Sequence, residues 1–488
     1  MFAFLRGIFG KPKRDKVGEA KTPEVSALPS AHITSTHAEE EKQAPDDPTN
    51  AFLCRETILG RDQRIIGYEF SHPQQVHARL IDKRARARQY YDGALLSQLA
   101  GMQLESIIGQ RLAFLDISPV SLKHPALERL PRHNVALTLN FPESSHLSTQ
   151  AVQEIISHTQ PLREYGLNIG LKWQSRWLPD ADGIAILQQI DFVRISWPEY
   201  ADHGDMLVDM CRNVKEVNAA AVPHRLNPLR LIVGDLDAPD DFRECYRLGF
   251  DFFCGSFITN KQENKSSKSA VNRLRIIQLL NNLRHDAHTR ELEQELKQDP
   301  TLSYYLLRYA NSPALGLSQE ITSLAQAITI LGRNYLYRWL SFLLLKVADP
   351  GYREWVLTEQ ALARAALMER LGKIRGDSAV SPDSLFLTGL FSLLDQLMGY
   401  SLDELIAAIQ IPDEIHSALV RREGILAQYL ALAEACEFMI PENIERRSLQ
   451  LGFSASEINH AVFDALAWAH EMINVNESPN TKSTSVSS

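Results

Sequence analysis

No stretch of this 488-residue sequence approaches the run of apolar residues, about 20 long, that a bilayer-crossing helix needs, so an integral membrane protein is not expected. The five cysteines, Cys54, Cys211, Cys245, Cys254 and Cys436, are odd in number, widely spaced and without a C-x-x-C pair. That pattern argues against a disulfide framework or a zinc site and predicts reduced, buried thiols in a cytoplasmic protein. A basic stripe is also missing: the net charge is −9 with acids and bases interspersed, so nucleic acid is not an expected partner. No H-E-x-x-H, G-x-S-x-G, phosphate-binding loop or dinucleotide fingerprint occurs. The N-terminal MFAFLRGIFGKPKRDK lacks a small-residue cleavage pattern, and a secretory signal is not expected. Its Phe2, Phe4, Leu5, Ile8 and Phe9 offer at most a weak contact with a membrane surface.

What is present is 44% hydrophobic and 23% charged, the balance of a soluble globular chain, at a length that predicts two domains. Residues 1–50 are mostly polar, with few aromatics after the first turn, and are expected to be disordered, as is a Ser- and Asn-rich tail at 475–488. Over residues 51–260, eight short apolar runs recur with helix-like stretches between most of them: AFLCRETIL, RIIGYEF, LAFLDIS, VALTLN, LNIGLKW, FVRIS, LRLIV and DFFCG. Strands alternating with helices at that count predict a TIM-like (βα)8 barrel. Only Gly60 to Gln63 separate the first two runs, too few residues for a crossover helix, so that pair is expected to be an antiparallel hairpin.

A polar stretch at 261–270 reads as a linker, and over 271–474 the period becomes helical. Ile276, Leu279, Leu280 and Leu283 share one helical face, as do Leu302, Tyr305, Leu306 and Tyr309. Asp299 before Pro300, and Ser323 with Gln326, are helix starts; Asn311-Ser312-Pro313 and Gly332 are stops.

In the barrel half, Glu69 lies in Gly67-Tyr68-Glu69-Phe70-Ser71, and the order of runs resembles the EAL family of cyclic di-GMP phosphodiesterases from Ala51 to about Ile258. The resemblance implies that Glu69 stands at the signature metal ligand, Asp116 at an Asn ligand, Thr138 at a Glu ligand, and Lys172 and Trp173 at paired metal-binding aspartates. Arg194 aligns with a Lys that orients the attacking water, Gly234 through Asp237 with an E-G-V-E stretch, and Cys254 with a Gln near the barrel's end. An ammonium and an indole cannot hold Mg2+ or Mn2+, so the resemblance implies a degenerate pocket with no catalytic residues, no metal and no cofactor. The arginine that follows the signature in that family is replaced near His72 and Pro73, which counts against cyclic di-GMP binding.

In the helical half, Asp299-Pro300, Asn311-Ser312, Ile321, Ser323, Ala327-Ile328 and Leu331-Gly332 sit in the order and spacing of the HDOD family, which is related to metal-dependent HD hydrolases. Where an active relative carries adjacent His and Asp, this chain has Ser392 and Leu393, with Asp395 nearby. His285, His288, His416, His460 and His470 are scattered and read as surface or satisfied histidines. The whole chain resembles EAL-HDOD two-domain proteins. The expected function is a non-enzymatic bacterial signalling adaptor that binds a protein partner through the HDOD domain. The resemblance places it in a cyclic di-GMP-related, motility, biofilm or stress circuit and gives a homodimer as a further expectation. The alternatives are a receptor that binds cyclic di-GMP without cleaving it and an active phosphodiesterase. Among Tyr304, Tyr305, Tyr309, Tyr335, Tyr337 and Trp339, most are expected in the core and the rest at an interface.

Overall fold

The computed structural model describes residues 51–72, 85–102, 104, 108–109, 111–141, 149–174, 181–200, 204–220, 228–258, 273–311, 321–346, 351–376, 380–438 and 441–476. The expected N-terminal and linker segments, 1–50 and 261–270, lie outside these, as do Pro73 and Ser312. The last helix, Ala455–Asn476, runs two residues into the expected tail.

Each apolar run becomes a strand: β1 Cys54–Gly60, β2 Ile65–Ser71, β3 Leu112–Ile117, β4 Val135–Leu139, β5 Asn168–Lys172, β6 Phe192–Ser196, β7 Arg230–Gly234 and β8 Phe252–Phe253. They close into a barrel in sequence order. β1 is antiparallel to both β2 and β8, as the short turn dictates, and the remaining neighbours are parallel.

Because side chains alternate across each strand, every strand feeds two cores. Inward-facing Ile58, Phe114, Ala136, Phe192, Ile232 and Cys254 form a small interior cluster, with Phe114 and Phe192 edge to face at 5.7 Å. Gly170 makes this possible, since a Cβ there would lie 2.1 Å from the Phe192 ring. The outward residues join a much larger core that runs without a break from the barrel into the helical half.

That continuity follows from the hairpin. With no crossover helix between β1 and β2, their outer face needs another cover, and the helices Tyr352–Arg375, Gly424–Phe438 and Ala455–Asn476 supply it. Phe70 packs on Phe463 at 5.3 Å between ring centroids, and the Asn459 side chain bonds the backbone of Ala51 and Leu53. Tyr352 packs against Phe242 and Phe257 from the barrel's last units. At the centre of this contact Arg111 grips Glu359 with two hydrogen bonds of 2.5 and 2.7 Å, and the Tyr68 hydroxyl donates to the same carboxylate. Burial opposes ionisation of Glu359, yet the Arg111 charge and these hydrogen bonds hold its carboxyl below the usual range.

In the helical half Asp299 caps its helix by accepting from the backbone of Thr301 and Leu302, and Ser323 caps the next by accepting from Gln326. Asn311 ties the two together: its amide donates to the Leu307 and Ile321 carbonyls and accepts from the Ile321 backbone. Leu331 is buried, and Gly332, expected to end a helix, takes a left-handed φ of 72° within Leu324–Leu344. The chain kinks there and resumes a helix, because the apolar pattern returns at once with Leu336, Trp339 and Leu340.

Replacing Glu359 by Gln leaves Arg111 buried without its counter-charge and should lower stability by about 3–5 kcal/mol. A Glu359→Leu, Arg111→Met double variant should recover most of that loss, both read from urea-unfolding midpoints. Equal instability of the two variants would show that packing, not charge, holds this contact.

Candidate functional site

The mouth of the barrel is formed where the parallel strands end. β1 runs the other way and so brings its beginning to the same rim. Glu69 and Glu56 are direct cross-strand partners in the β1–β2 register and share the inward face. Two carboxylates opposed in this way repel. Arg194 resolves the conflict: from the inward face of β6 its guanidinium forms an ion pair with Glu69 and approaches the Cys254 sulfur at 3.8 Å. Burial works against this charge, but Glu69, Cys254 and Glu56 raise the Arg194 pKa further above its usual value. Gly234 supplies the room, for a Cβ there would lie 3.1 Å from the Arg194 guanidinium and 3.4 Å from the Cys254 sulfur.

Around this centre stand the other expected residues. Asp116 accepts a hydrogen bond of 3.1 Å from Asn140, and its Cα partner across the β3–β4 ladder is Thr138, whose buried hydroxyl has no hydrogen-bond partner among the described residues. Lys172 ends β5 in register with Arg194. Trp173, expected beside Lys172 in the pocket, does not face it. Adjacent residues on a strand turn to opposite sides, and the Trp173 indole is buried in the large outer core. Asp237, also expected in the pocket, is exposed on the rim and accepts from Ser256 at 2.8 Å. Its neighbour Asp235, with a left-handed φ of 60°, accepts from Ser196 at 2.5 Å.

Glu56, Glu69 and Cys254 place ligand-type atoms within 4.8 Å of one another. The donor set does not fit a divalent metal. A guanidinium that cannot deprotonate already sits against these atoms, and a fixed positive charge at contact distance repels a dication. Burial also pushes the Cys254 thiol up, well away from the thiolate that a metal would need.

The helical half carries a second arrangement of this kind. Ser392, expected where an active relative has a metal-binding pair, accepts a 2.7 Å hydrogen bond from Arg364. Arg364 is 3% exposed and reaches Glu437 through two bonds of 2.9 and 2.5 Å. The histidines are apart from it: His285 meets Gln410, His416 meets Asp403, and His460 meets Ser456. All five cysteines are free and buried.

Glu56 escaped the sequence reading. The signal that would have found it is the hairpin register, because a four-residue connection sets which β1 residue opposes Glu69. Burial first, then the neighbouring Glu69 and Asp235 charges, raise its pKa from 4.5 to about 7 against the pull of Arg194. The native state therefore binds more protons than the unfolded chain between those values, and stability falls as pH rises through that window. Glu56→Gln should remove this part of the slope and gain on the parent at pH values above the window, as measured by urea midpoints across a pH series. An unchanged slope would rule out Glu56 as its source.

Comparison with known proteins gives a match to the HDOD domain family over residues 270–421. The cyclic di-GMP phosphodiesterase CdgJ of Vibrio cholerae serotype O1 is 26% identical over 245 residues, 50% of this chain and 56% of that protein. The uncharacterized protein YuxH of Bacillus subtilis is 28% identical over 236 residues, 48% of this chain and 57% of that protein. The alignments thus span little more than half the length of these relatives. Among solved structures, the EAL-domain protein YkuI of Bacillus subtilis, in complex with cyclic di-GMP and calcium, has a TM-score of 0.34 and 13% identity over 58% of this chain and 73% of that one. The chain thus carries an HDOD domain over residues 270–421, in its helical half, with a closed eight-stranded barrel ahead of it.

Proposed function

We propose that this chain is a non-catalytic signalling adaptor in a cyclic di-GMP-related circuit, acting through a protein partner held by its HDOD domain. The observation that carries this reading is the Arg194 guanidinium seated against Glu69 and Cys254 at the barrel mouth. Metal-assisted phosphodiester hydrolysis needs cations that lower the pKa of a water and stabilise the displaced oxygen. An arginine in contact with the ligand-type atoms balances their charge while offering neither service. Arg364 against Ser392 and Glu437 repeats the substitution in the helical half, which leaves binding as the use of that domain.

The purified full chain, incubated with cyclic di-GMP and Mg2+ or Mn2+, should release no linear dinucleotide above a Glu69→Ala control. Isothermal titration with the same nucleotide should show no saturable heat. Metal-dependent release that Glu69→Ala abolishes would overturn the adaptor reading in favour of an enzyme, and saturable heat without release would turn it into a receptor.

Interface side chains are suggested by exposure. Tyr309 and Trp339 are buried as core residues, whereas Tyr304 is 53% and Tyr335 57% exposed. Large aromatic side chains left in water are the usual anchors of a protein interface. Tyr304→Ala with Tyr335→Ala should abolish capture of the partner from cell extract by the full chain while leaving its thermal midpoint unchanged. Undiminished capture would place the interface elsewhere.

A further inference from the structure

Guanidiniums in this fold are met in one recurring way. Arg163 and Arg364 each close the edge that carries Nε and Nη2 on a carboxylate, Arg163 on Asp191 at 3.2 and 2.8 Å and Arg364 on Glu437 at 2.9 and 2.5 Å. The two N–H groups of that edge point the same way at the spacing of two carboxylate oxygens, so one anion satisfies both.

Arg273 departs from this pattern. It stands at the start of the helix Arg273–Arg284 and is 6% exposed. Its Nε and Nη2, the same edge, are both buried and have no hydrogen-bond partner among the described residues. Burial lowers its pKa to about 10, opposed by the neighbouring Tyr400. The helix packs along Leu402–Ile409, where the Asn281 amide donates to the Ala408 carbonyl and His285 meets Gln410. Followed back toward its start, this packing brings Arg273 to the turn at Gly399 and Tyr400. The acids that open the neighbouring helix serve elsewhere: Asp403 and Glu404 are exposed, and Asp403 meets His416 at 3.0 Å.

A buried pair of donors without an acceptor lowers stability, and an anion brought to them restores it. One guanidinium matches one negative charge. A phosphate, with between one and two charges near neutral pH, would leave part of its charge buried and uncompensated. We propose that Arg273 anchors a binding site for a small monocarboxylate, whose two oxygens pair with Nε–H and Nη2–H as Asp191 and Glu437 do at Arg163 and Arg364. Both nitrogens are enclosed by protein, which suits an acetate-sized molecule better than a side chain of a docked protein. Occupancy ties the charge of the first described helix of the helical half to its packing on Leu402–Ile409 and stabilises that packing by mass action.

The test replaces sodium chloride by sodium acetate, at constant pH and ionic strength, in solutions of the full chain. Acetate should raise the thermal midpoint saturably and move the Nε–H NMR signal of Arg273, identified by its loss from the spectra of Arg273→Met and Arg273→Lys. Inorganic phosphate should bind at least about threefold more weakly. Arg273→Met keeps the apolar stem without the charge; it should melt above the parent in chloride and gain nothing from acetate. Arg273→Lys, which keeps the charge without the two-donor edge, should bind acetate at least about threefold more weakly and decides the matter if the methionine variant misfolds. Equal gains from acetate in the parent and in either variant, an unmoved Nε–H signal, or phosphate binding as tight as that of acetate would overturn the proposal.

Discussion

An arginine side chain keeps its proton at neutral pH, so burying one is eased by bringing a carboxylate to it; Arg273, buried without one, has its pKa lowered to about 10 by that burial. Among the described residues the chain supplies a carboxylate to three buried or nearly buried arginines. Arg194 meets Glu69 inside the barrel mouth, Arg364 meets Glu437 inside the helical half, and Arg111 meets Glu359 where the two halves touch. Each cluster fixes side chains that are distant in sequence into one arrangement. Two of the three lie beside Glu69 and Ser392, the residues that the family resemblance sets at metal-ligand positions. The same ion pairs that hold the fold together thus set the charge inside both pockets.

The joint between the halves has a topological origin. A barrel whose strands all run parallel covers each strand with its own helix, but an antiparallel first pair leaves one face bare. Phe70 and Tyr68 point out of that face and are buried by residues almost three hundred or more positions later in the chain. The helical half is therefore part of the barrel's own covering layer, and the continuous outer core expresses this.

Much of this was legible in the sequence because it rests on local rules. All eight apolar runs became strands, and Asp299 and Ser323 cap the helices their spacing predicted. What the sequence concealed depends on partners far along the chain. No local pattern joins Arg364 to Glu437 or Tyr68 to Glu359. Trp173 is a different case: the period-2 rule of strands already implied that it could not face the pocket together with Lys172, and alignment to a motif obscured that geometry. Gly332 shows the limit of a single signal: glycine permits the left-handed backbone found there, but whether the helix resumes is decided by the apolar Leu336, Trp339 and Leu340 that follow.

Tyr68 and Glu69 are consecutive on β2 and face opposite ways, one toward the helical half and the other into the barrel mouth. A strand is too stiff to let one residue slide while its neighbour stays. Any motion of β2 that lifts the Tyr68 hydroxyl from Glu359 also shifts the Glu69 carboxylate relative to Arg194. The contact with the helical half and the ion pair of the barrel opening are thus joined by a single peptide bond.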